Sequence, residues 1–299
     1  MKFGLQISSF TWPGGTAAIA PTFERIVRTA DEVGFDSIWV MDHFFQIRSV
    51  GRPEEPMLEG WTALGWMAAI TTRARLGLMV GGIHYRQAPI WVKAATTLDV
   101  LSGGRAWLGL GAAWNEEESV GLGFPFPPLG ERFEMLEDTL RYAQGMFQGE
   151  RGSEAEFQGT HLHATRLLNS PQSISRPRVP IMIGGGGETK TLRMVAQYGD
   201  ATNVFGGPEK IAHKYDVLRG HCDAIGRDFD EIERSTLQNI RVSADGREDG
   251  TEAPSAIIDR FAELGDAGAQ HVLFSVRDVW QTERLELLGK TLLPQLRGA

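Results

Sequence analysis

Residues 98–123 read LDVLSGGRAWLGLGAAWNEEESVGLG, and this stretch decides the fold. A helix ends at residues 102–104, because glycine enters the left-handed conformation at little steric cost. The apolar run 106–110 is typical of a buried parallel strand, and Gly109 and Gly111 leave the end of that strand without side chains. Open backbone at the carboxyl end of a parallel strand is where α/β proteins receive flat or phosphorylated ligands. The stretch therefore predicts a ligand-binding helix–strand unit, although an ordinary core unit with glycine turns has the same pattern.

The same alternation of helix and strand extends along the whole chain. Short apolar runs predict strands, and apolar residues at helical spacing follow each run. The predicted strands are 3–7, 37–41, 75–80, 106–110, 180–183, 201–204, 235–242 and 271–276. Eight repeats predict an α/β fold of the (β/α)8 TIM-barrel type, with a doubly wound open sheet as the competing architecture. We expect one barrel domain over residues 1–299, since no linker divides the chain.

The regular alternation of strand and helix is interrupted once, over residues 149–179, between the fourth predicted helix and the fifth predicted strand. Residues 157–162 read FQGTHL, which has the pattern of a small hairpin, and several prolines follow. A segment of this length without strong periodicity is more often a functional excursion than filler. We expect this insertion to lie near the mouth of the barrel.

Composition points to a soluble enzyme that acts on small molecules. The net charge of −8 disfavours nucleic acid as a partner, and no apolar run approaches the length of a membrane span. The amino terminus lacks the pattern of a signal peptide, so a cytoplasmic location is expected. One cysteine, Cys222, excludes an intramolecular disulfide, and seven scattered histidines predict no metal site.

In a (β/α)8 barrel the loops that follow the strands form the active site. Phe10 and Trp12 follow the first strand, where they could wall a slot for a planar ligand or pack under a neighbouring loop. Asp42 and His43 follow the second strand. Neighbours on an extended chain point to opposite faces, so we expect one to face the ligand and the other to brace a loop. Arg86, after the third strand, could meet an anionic group or form an exposed ion pair.

The fourth and fifth predicted strands lead into two further candidate loops. Trp114 and Asn115 follow the fourth strand, and the Asn115 amide could contact a ring carbonyl. The glutamates at 116–118 are assigned to the ordinary role of complementing a helix N-terminus. After the fifth strand, a run of glycines frees backbone N–H groups next to a helix N-terminus, which predicts a phosphate cradle. The cradle residues are Gly184, Gly185, Gly186, Gly187, Thr189 and Lys190.

Four segments together resemble the luciferase-like monooxygenase superfamily, specifically its coenzyme F420-dependent oxidoreductase branch. They are GFDSIWVMDHFF at 34–45, TLDVLSGGRAWLGLGAAWNEEE at 97–118, PIMIGGGGETKTLRMVAQYGDATN at 180–203 and HCDAIGRDFDEIE at 221–233. The second and third are specific when they occur together in this order. The fourth is typical of the deazaflavin-using branch.

The resemblance implies a bacterial-luciferase-like barrel that holds the deazaflavin in its mouth, with the phosphate on the 184–187 loop. It implies a non-prolyl cis peptide near Met79 and Val80, His43 as the catalytic acid or base, and a homodimer. The substrate-lining candidates are Phe10, Trp12, Arg86 and Trp114. Besides the cradle, the residues expected at the cofactor are Asp42, Met79, Val80, Gly81, Gly111, Ala112 and Asn115.

Two positions depart from the family pattern. Ala112 stands where sugar-phosphate dehydrogenases of the family have a glutamate that is proposed as the proton donor, which argues against that activity. The loop after the third strand reads RQAP at 86–89 where many relatives have Arg-His-Pro. The sequence therefore favours an F420-dependent oxidoreductase that transfers a hydride to or from an unidentified small organic substrate. An FMN-dependent monooxygenase and a non-catalytic flavin-binding barrel are the alternatives.

Overall fold

The strands of the computed structural model, which describes residues 1–297, form one closed parallel barrel and one small hairpin. In chain order they are β1 (Lys2–Ile7), β2 (Ser37–Val40), β3 (Arg75–Leu78), β4 (Gly81–Gly82), β5 (Ala106–Gly111), β6 (Phe157–Gln158), β7 (His163–Ala164), β8 (Ile181–Gly184), β9 (Ala201–Val204), β10 (Glu233–Ile240) and β11 (His271–Val276).

The barrel closes because β3 pairs with β2 on one side and with β5 on the other. The short strand β4 also pairs with β5, so β3 and β4 together fill one of eight positions around the barrel. The predicted strand 75–80 is thus interrupted after Leu78 and resumes at Gly81. Closure confirms the predicted (β/α)8 barrel and excludes the open sheet.

Helices surround the barrel in the order that the apolar spacing predicts. They are α1 (Thr16–Val33), α2 (Gly60–Ile70), α3 (Ala88–Ser102), α4 (Glu116–Leu122), α5 (Leu129–Met146), α6 (Thr191–Tyr198), α7 (Pro208–Ile225), α8 (Pro254–Asp266) and α9 (Glu283–Arg297). Gly34 and Gly103 end α1 and α3 in the left-handed region, and the end of α3 lies at the glycines where the sequence predicts it. Within residues 1–297, none of these helices has the length and apolar character that crossing a lipid bilayer requires.

The barrel interior is filled below its mouth by large side chains. A cluster separate from the main core joins residues of six strand positions, which meet only inside the barrel: Trp39, Met79, Trp107, Met182, Ala201 and Leu273. Glycine makes room for the largest of them, since a Cβ on Gly77 would lie 2.5 Å from the Trp39 ring. The interior between these strands is therefore occupied by the protein's own side chains.

Residues 149–179 contain the predicted hairpin, formed by β6 and β7. Their contacts lie on the outer helices: the Asn169 side chain donates to Thr96 of α3 at 3.1 Å, and the His161 N–H donates to Asp138 of α5 at 2.7 Å. None of these residues, all of them described, lines the cavity at the mouth. These polar contacts hold the segment along α3 and α5, and its expected place near the mouth stays a prediction.

Candidate functional site

A cavity of about 370 Å³ opens where β2, β4, β5, β8 and β9 end. This is the end of a (β/α)8 barrel at which active sites form. Among residues 1–297, no three His, Cys, Asp or Glu side chains are arranged to hold a metal ion. The predicted site residues that line the cavity are Asp42, His43, Met79, Val80, Gly81, Gly111, Ala112, Trp114, Asn115, Gly184, Gly185, Gly186 and Gly187.

Val80 forms part of the cavity wall, and two glycines make room for its side chain. A Cβ on Gly184 would lie 2.7 Å from Val80 Cγ2, and a Cβ on Gly111 would lie 2.9 Å from the same atom. The Met79–Val80 peptide bond is cis, as the resemblance implies. The bare ends of β5 and β8 thus accommodate the Val80 side chain at the edge of the cavity.

The glycine loop between β8 and α6 offers unpaired backbone donors. The Gly185 N–H donates to the Asn203 carbonyl oxygen at 3.0 Å, whereas no group within residues 1–297 accepts from the N–H of Gly186 or Gly187. Consecutive free N–H groups beside a helix N-terminus favour an anion. The hydroxyl next to this loop is that of Thr191, whose Oγ1 would lie 2.9 Å from a Cβ on Gly187.

The structure does not bring Thr189 or Lys190 to the cavity, which corrects their predicted place in the cradle. Both are exposed, and the Lys190 ammonium lies 5.4 Å from the centre of the Phe133 ring. A second lysine, Lys214 of α7, passes beside the glycine loop, where its Cε would lie 3.7 Å from a Cβ on Gly186. Its Nζ donates to Glu188 at 2.6 Å.

Asp42 braces the loops around the cavity through a buried ion pair. Its carboxylate accepts two hydrogen bonds from the Arg86 guanidinium, at 2.8 and 2.9 Å, and one from the Gly82 N–H at 3.1 Å. Burial raises the pKa of the Asp42 carboxyl, and Arg86 opposes that rise. Arg86 also pairs with Glu59 at 2.5 Å and lies over the Trp91 ring. Arg86 is not among the residues that line the cavity, and its predicted role as a substrate-lining residue stays a prediction.

His43 takes the opposite orientation and lines the cavity. Its Nδ1 lies 2.5 Å from Glu118 Oε1, and no group within residues 1–297 contacts its Nε2. The Trp114 ring meets the imidazole edge-on, with ring centres 5.5 Å apart. Both side chains border the cavity, but the Asp42 carboxylate is occupied by Arg86 and Gly82, whereas His43 keeps Nε2 without a hydrogen-bond partner within residues 1–297.

Phe10 and Trp12 do not line this cavity. Phe10 packs against Phe23 of α1 with ring centres 5.4 Å apart, and Trp12 packs against both rings. Trp12 borders a separate polar crevice above β1, β10 and β11. Their aromatic contacts agree with packing under a neighbouring loop, while their predicted role at a substrate stays a prediction. The aromatic residues that do line the mouth are Tyr85, Trp114, Phe133 and Phe205.

Asn203, at the end of β9, is a cavity residue that the sequence did not indicate. Its Nδ2 donates to Ser235 Oγ at 2.9 Å, while its buried Oδ1 has no partner within residues 1–297. A buried acceptor left unpaired costs about 1–3 kcal/mol, so its presence in a cavity wall points to a donor on a ligand. The sequence feature that could have indicated Asn203 is its position, an amide side chain near the end of the predicted strand 201–204.

The family follows from comparison of the whole chain. Residues 1–287 match the family described as luciferase-like monooxygenase. The chain belongs to this family. Its fold, cavity position and cis peptide all agree with the expectation drawn from the four resembling segments.

The chain is similar in sequence to curated proteins and in fold to solved structures. The chain is 31% identical over 223 residues to the F420-dependent glucose-6-phosphate dehydrogenase of Kineococcus radiotolerans; the match covers 72% of this chain and 62% of that relative, less than two thirds of its length. An F420-dependent secondary alcohol dehydrogenase in complex with an F420–acetone adduct superposes with a TM-score of 0.82 at 17% identity, over 99% of both chains. The FMN-bound oxygenating constituent of 3,6-diketocamphane monooxygenase from Pseudomonas putida superposes with a TM-score of 0.76 at 14% identity, over 99% of this chain and 98% of that one.

Glu118 is a further residue of this site that the sequence does not single out. The sequence assigns it, with Glu116 and Glu117, to complementing a helix N-terminus, and those two are exposed. Glu118 is fully buried and contacts His43. The local sequence gives no sign of this burial. Apolar residues normally mark the inner face of a helix, but the apolar residues Val120 and Leu122 of α4 are exposed.

Proposed function

We propose that this chain is an oxidoreductase that transfers a hydride between coenzyme F420 and a small organic substrate. The supporting observation is that one cavity joins a loop of free backbone N–H groups to an unpaired buried amide oxygen, that of Asn203. The first can bind a phosphate, and the second can accept a hydrogen bond from the edge of a ring. The names of the curated relatives favour F420 as that ligand.

The residues of the cavity fit a phosphorylated tricyclic cofactor. The N–H groups of Gly186 and Gly187 would hold the phosphate, with the Thr191 hydroxyl and the Lys214 ammonium beside them. These local donors are needed because the net charge of −8 repels an anion at long range. The ring would lie against Val80, whose side chain the glycines of β5 and β8 accommodate.

A bound deazaflavin supplies the ring carbon that accepts or releases a hydride. The residues of the chain then position the reactants and move one proton. His43 is suited to that role, since it lines the cavity and its Nε2 has no hydrogen-bond partner within residues 1–297. Asp42 and Arg86 hold the loop on which His43 lies. Ala112 lines the cavity without a carboxylate, so oxidation of a sugar phosphate is not part of this proposal.

The test is a titration of the purified protein with F420 and, separately, with FMN, followed by a search for substrate-dependent hydride transfer. We expect tighter binding of F420. Lys214→Ala should weaken that binding about tenfold, because an ion pair with the phosphate is lost. Lys190→Ala is the matched control and should leave affinity unchanged. Preference for FMN with substrate-dependent oxygen uptake would overturn the proposal.

An FMN-dependent monooxygenase is the second candidate, and the FMN-bound structural neighbour favours it. A barrel that binds F420 without turnover is the third, and binding without hydride exchange across a broad pool of alcohols and carbonyl compounds would support it. The homodimer and the cytoplasmic location stay predictions.

A further inference from the structure

The carboxylate of Glu118 is surrounded by hydrogen-bond donors. The Phe44 and Phe45 N–H groups donate to its Oε2 at 2.8 and 2.9 Å. The Tyr85 hydroxyl donates to its Oε1, the oxygen that also lies 2.5 Å from His43 Nδ1. An ionised carboxylate is acceptor-only and has about four acceptor sites, so these four contacts saturate it.

Three donors, the two N–H groups and the Tyr85 hydroxyl, already point at this carboxyl group, which favours its ionised form although it is fully buried. Burial alone raises the pKa of its carboxyl, but hydrogen bonds from His43, Tyr85 and the backbone outweigh burial and hold that pKa below its ordinary value. Burial and Glu118 together raise the pKa of the Tyr85 hydroxyl far above its ordinary value, so Tyr85 remains a donor. The carboxylate has no proton to offer His43.

This charge state determines which nitrogen of His43 carries the proton in the neutral ring. Because Glu118 can only accept, the short contact requires an N–H on Nδ1. Nε2 then carries the lone pair, and it is the ring nitrogen without a partner within residues 1–297. We propose that Glu118 is a positioning residue that fixes His43 in the Nδ1–H tautomer and so presents a proton-accepting Nε2 to the cavity.

The proposal rests on the proposed function in one respect only, namely that His43 accepts a proton at Nε2 during the reaction. The tautomer itself depends on the contacts of residues 43, 85 and 118 and needs no cofactor. Free histidine favours the opposite, Nε2–H, tautomer, so a dominant Nδ1–H form reports the Glu118 contact directly. A carboxylate that only anchored the loop through Phe44 and Phe45 would leave that preference unchanged.

The experiment is nitrogen NMR of the full chain carrying ring-15N histidine, recorded at a pH where the imidazole is neutral. The two ring nitrogens of a neutral histidine have well-separated shifts, and His43→Gln assigns the signal. We expect the Nδ1–H tautomer of His43 in roughly tenfold excess, because a hydrogen bond to a charged acceptor is among the strong ones. A wild-type ring protonated mainly on Nε2 overturns the proposal without any further variant.

Glu118→Gln tests whether the Glu118 carboxylate is the cause of the His43 tautomer preference. The carboxamide places an N–H donor next to His43 Nδ1, so the Nε2–H tautomer should become the major form. Glu117→Gln is the matched control: the Glu117 side chain is exposed, pairs with Arg48, and should leave the His43 signals unchanged. Unaltered tautomers in a folded Glu118→Gln protein would overturn the proposal.

A separate measurement distinguishes this inference from the function itself. F420 titration of wild type and Glu118→Gln should give the same affinity within about twofold, since Glu118 lies behind His43 and does not line the cavity. Absence of F420 binding in both proteins, with the tautomer shift intact, would contradict the proposed function and leave the role of Glu118 standing. F420 binding in both proteins without a tautomer shift would contradict the role of Glu118 and leave the proposed function standing.

Discussion

Gly184→Ala is the most direct test of how Val80 and the strand ends form the cavity wall. The new Cβ would lie 2.7 Å from Val80 Cγ2 and 2.9 Å from Val80 Cγ1, closer than real Cβ contacts. Overpacking of this kind costs about 1–3 kcal/mol. Because Gly184 does not have a positive φ, backbone strain adds nothing, and the whole cost comes from the contact with Val80.

The prediction is that Gly184→Ala lowers the free energy of unfolding by about 1–3 kcal/mol, measured from urea unfolding curves. Val80→Ala removes the methyl groups that clash, so the double variant should recover part of the loss, with a coupling energy of about 1–2 kcal/mol. Gly186→Ala is the control, because its Cβ would meet only Lys214, at 3.7 Å. Additive effects of the Gly184 and Val80 substitutions would refute this account of the wall.

Three further predictions follow from the site. His43→Ala should reduce turnover about 10²- to 10⁴-fold and leave F420 affinity within about twofold; an equal loss of both would assign His43 to binding. Arg86→Ala should lower the free energy of unfolding by about 3–5 kcal/mol, because it leaves the Asp42 carboxylate buried without its cation, and a change below about 1 kcal/mol in urea would contradict the buried pair. Burial and the nearby charge of Arg132 lower the pKa of the His84 imidazole to about 4, from its ordinary value of about 6.5. Between these two pH values the imidazole is protonated in the unfolded chain but not in the folded one. Stability should therefore fall by about 3 kcal/mol over that range, and His84→Gln should remove this component; an unchanged slope in urea unfolding against pH would contradict it.

Local pattern determined the architecture of this protein. Alternating apolar runs and helical spacing depend only on neighbouring residues, and glycines such as Gly34 and Gly103 end helices because of their own backbone freedom. Once the repeat predicts a barrel, the strand ends must meet at one rim. That is why residues as far apart as Asp42, Gly111 and Gly184 could be assigned to one site from the sequence.

Only the tertiary structure decided which side chains serve that site. The loop after β8 carries Thr189 and Lys190, yet the hydroxyl and the cation beside the glycines are those of Thr191 and Lys214. Helix rotation and packing between distant elements determine such choices, and neither leaves a local pattern. Glu118 is the clearest case: it lies 75 residues from His43 in the chain, and only the packing of α4 against the loop after β2 turns the third of three adjacent glutamates inward.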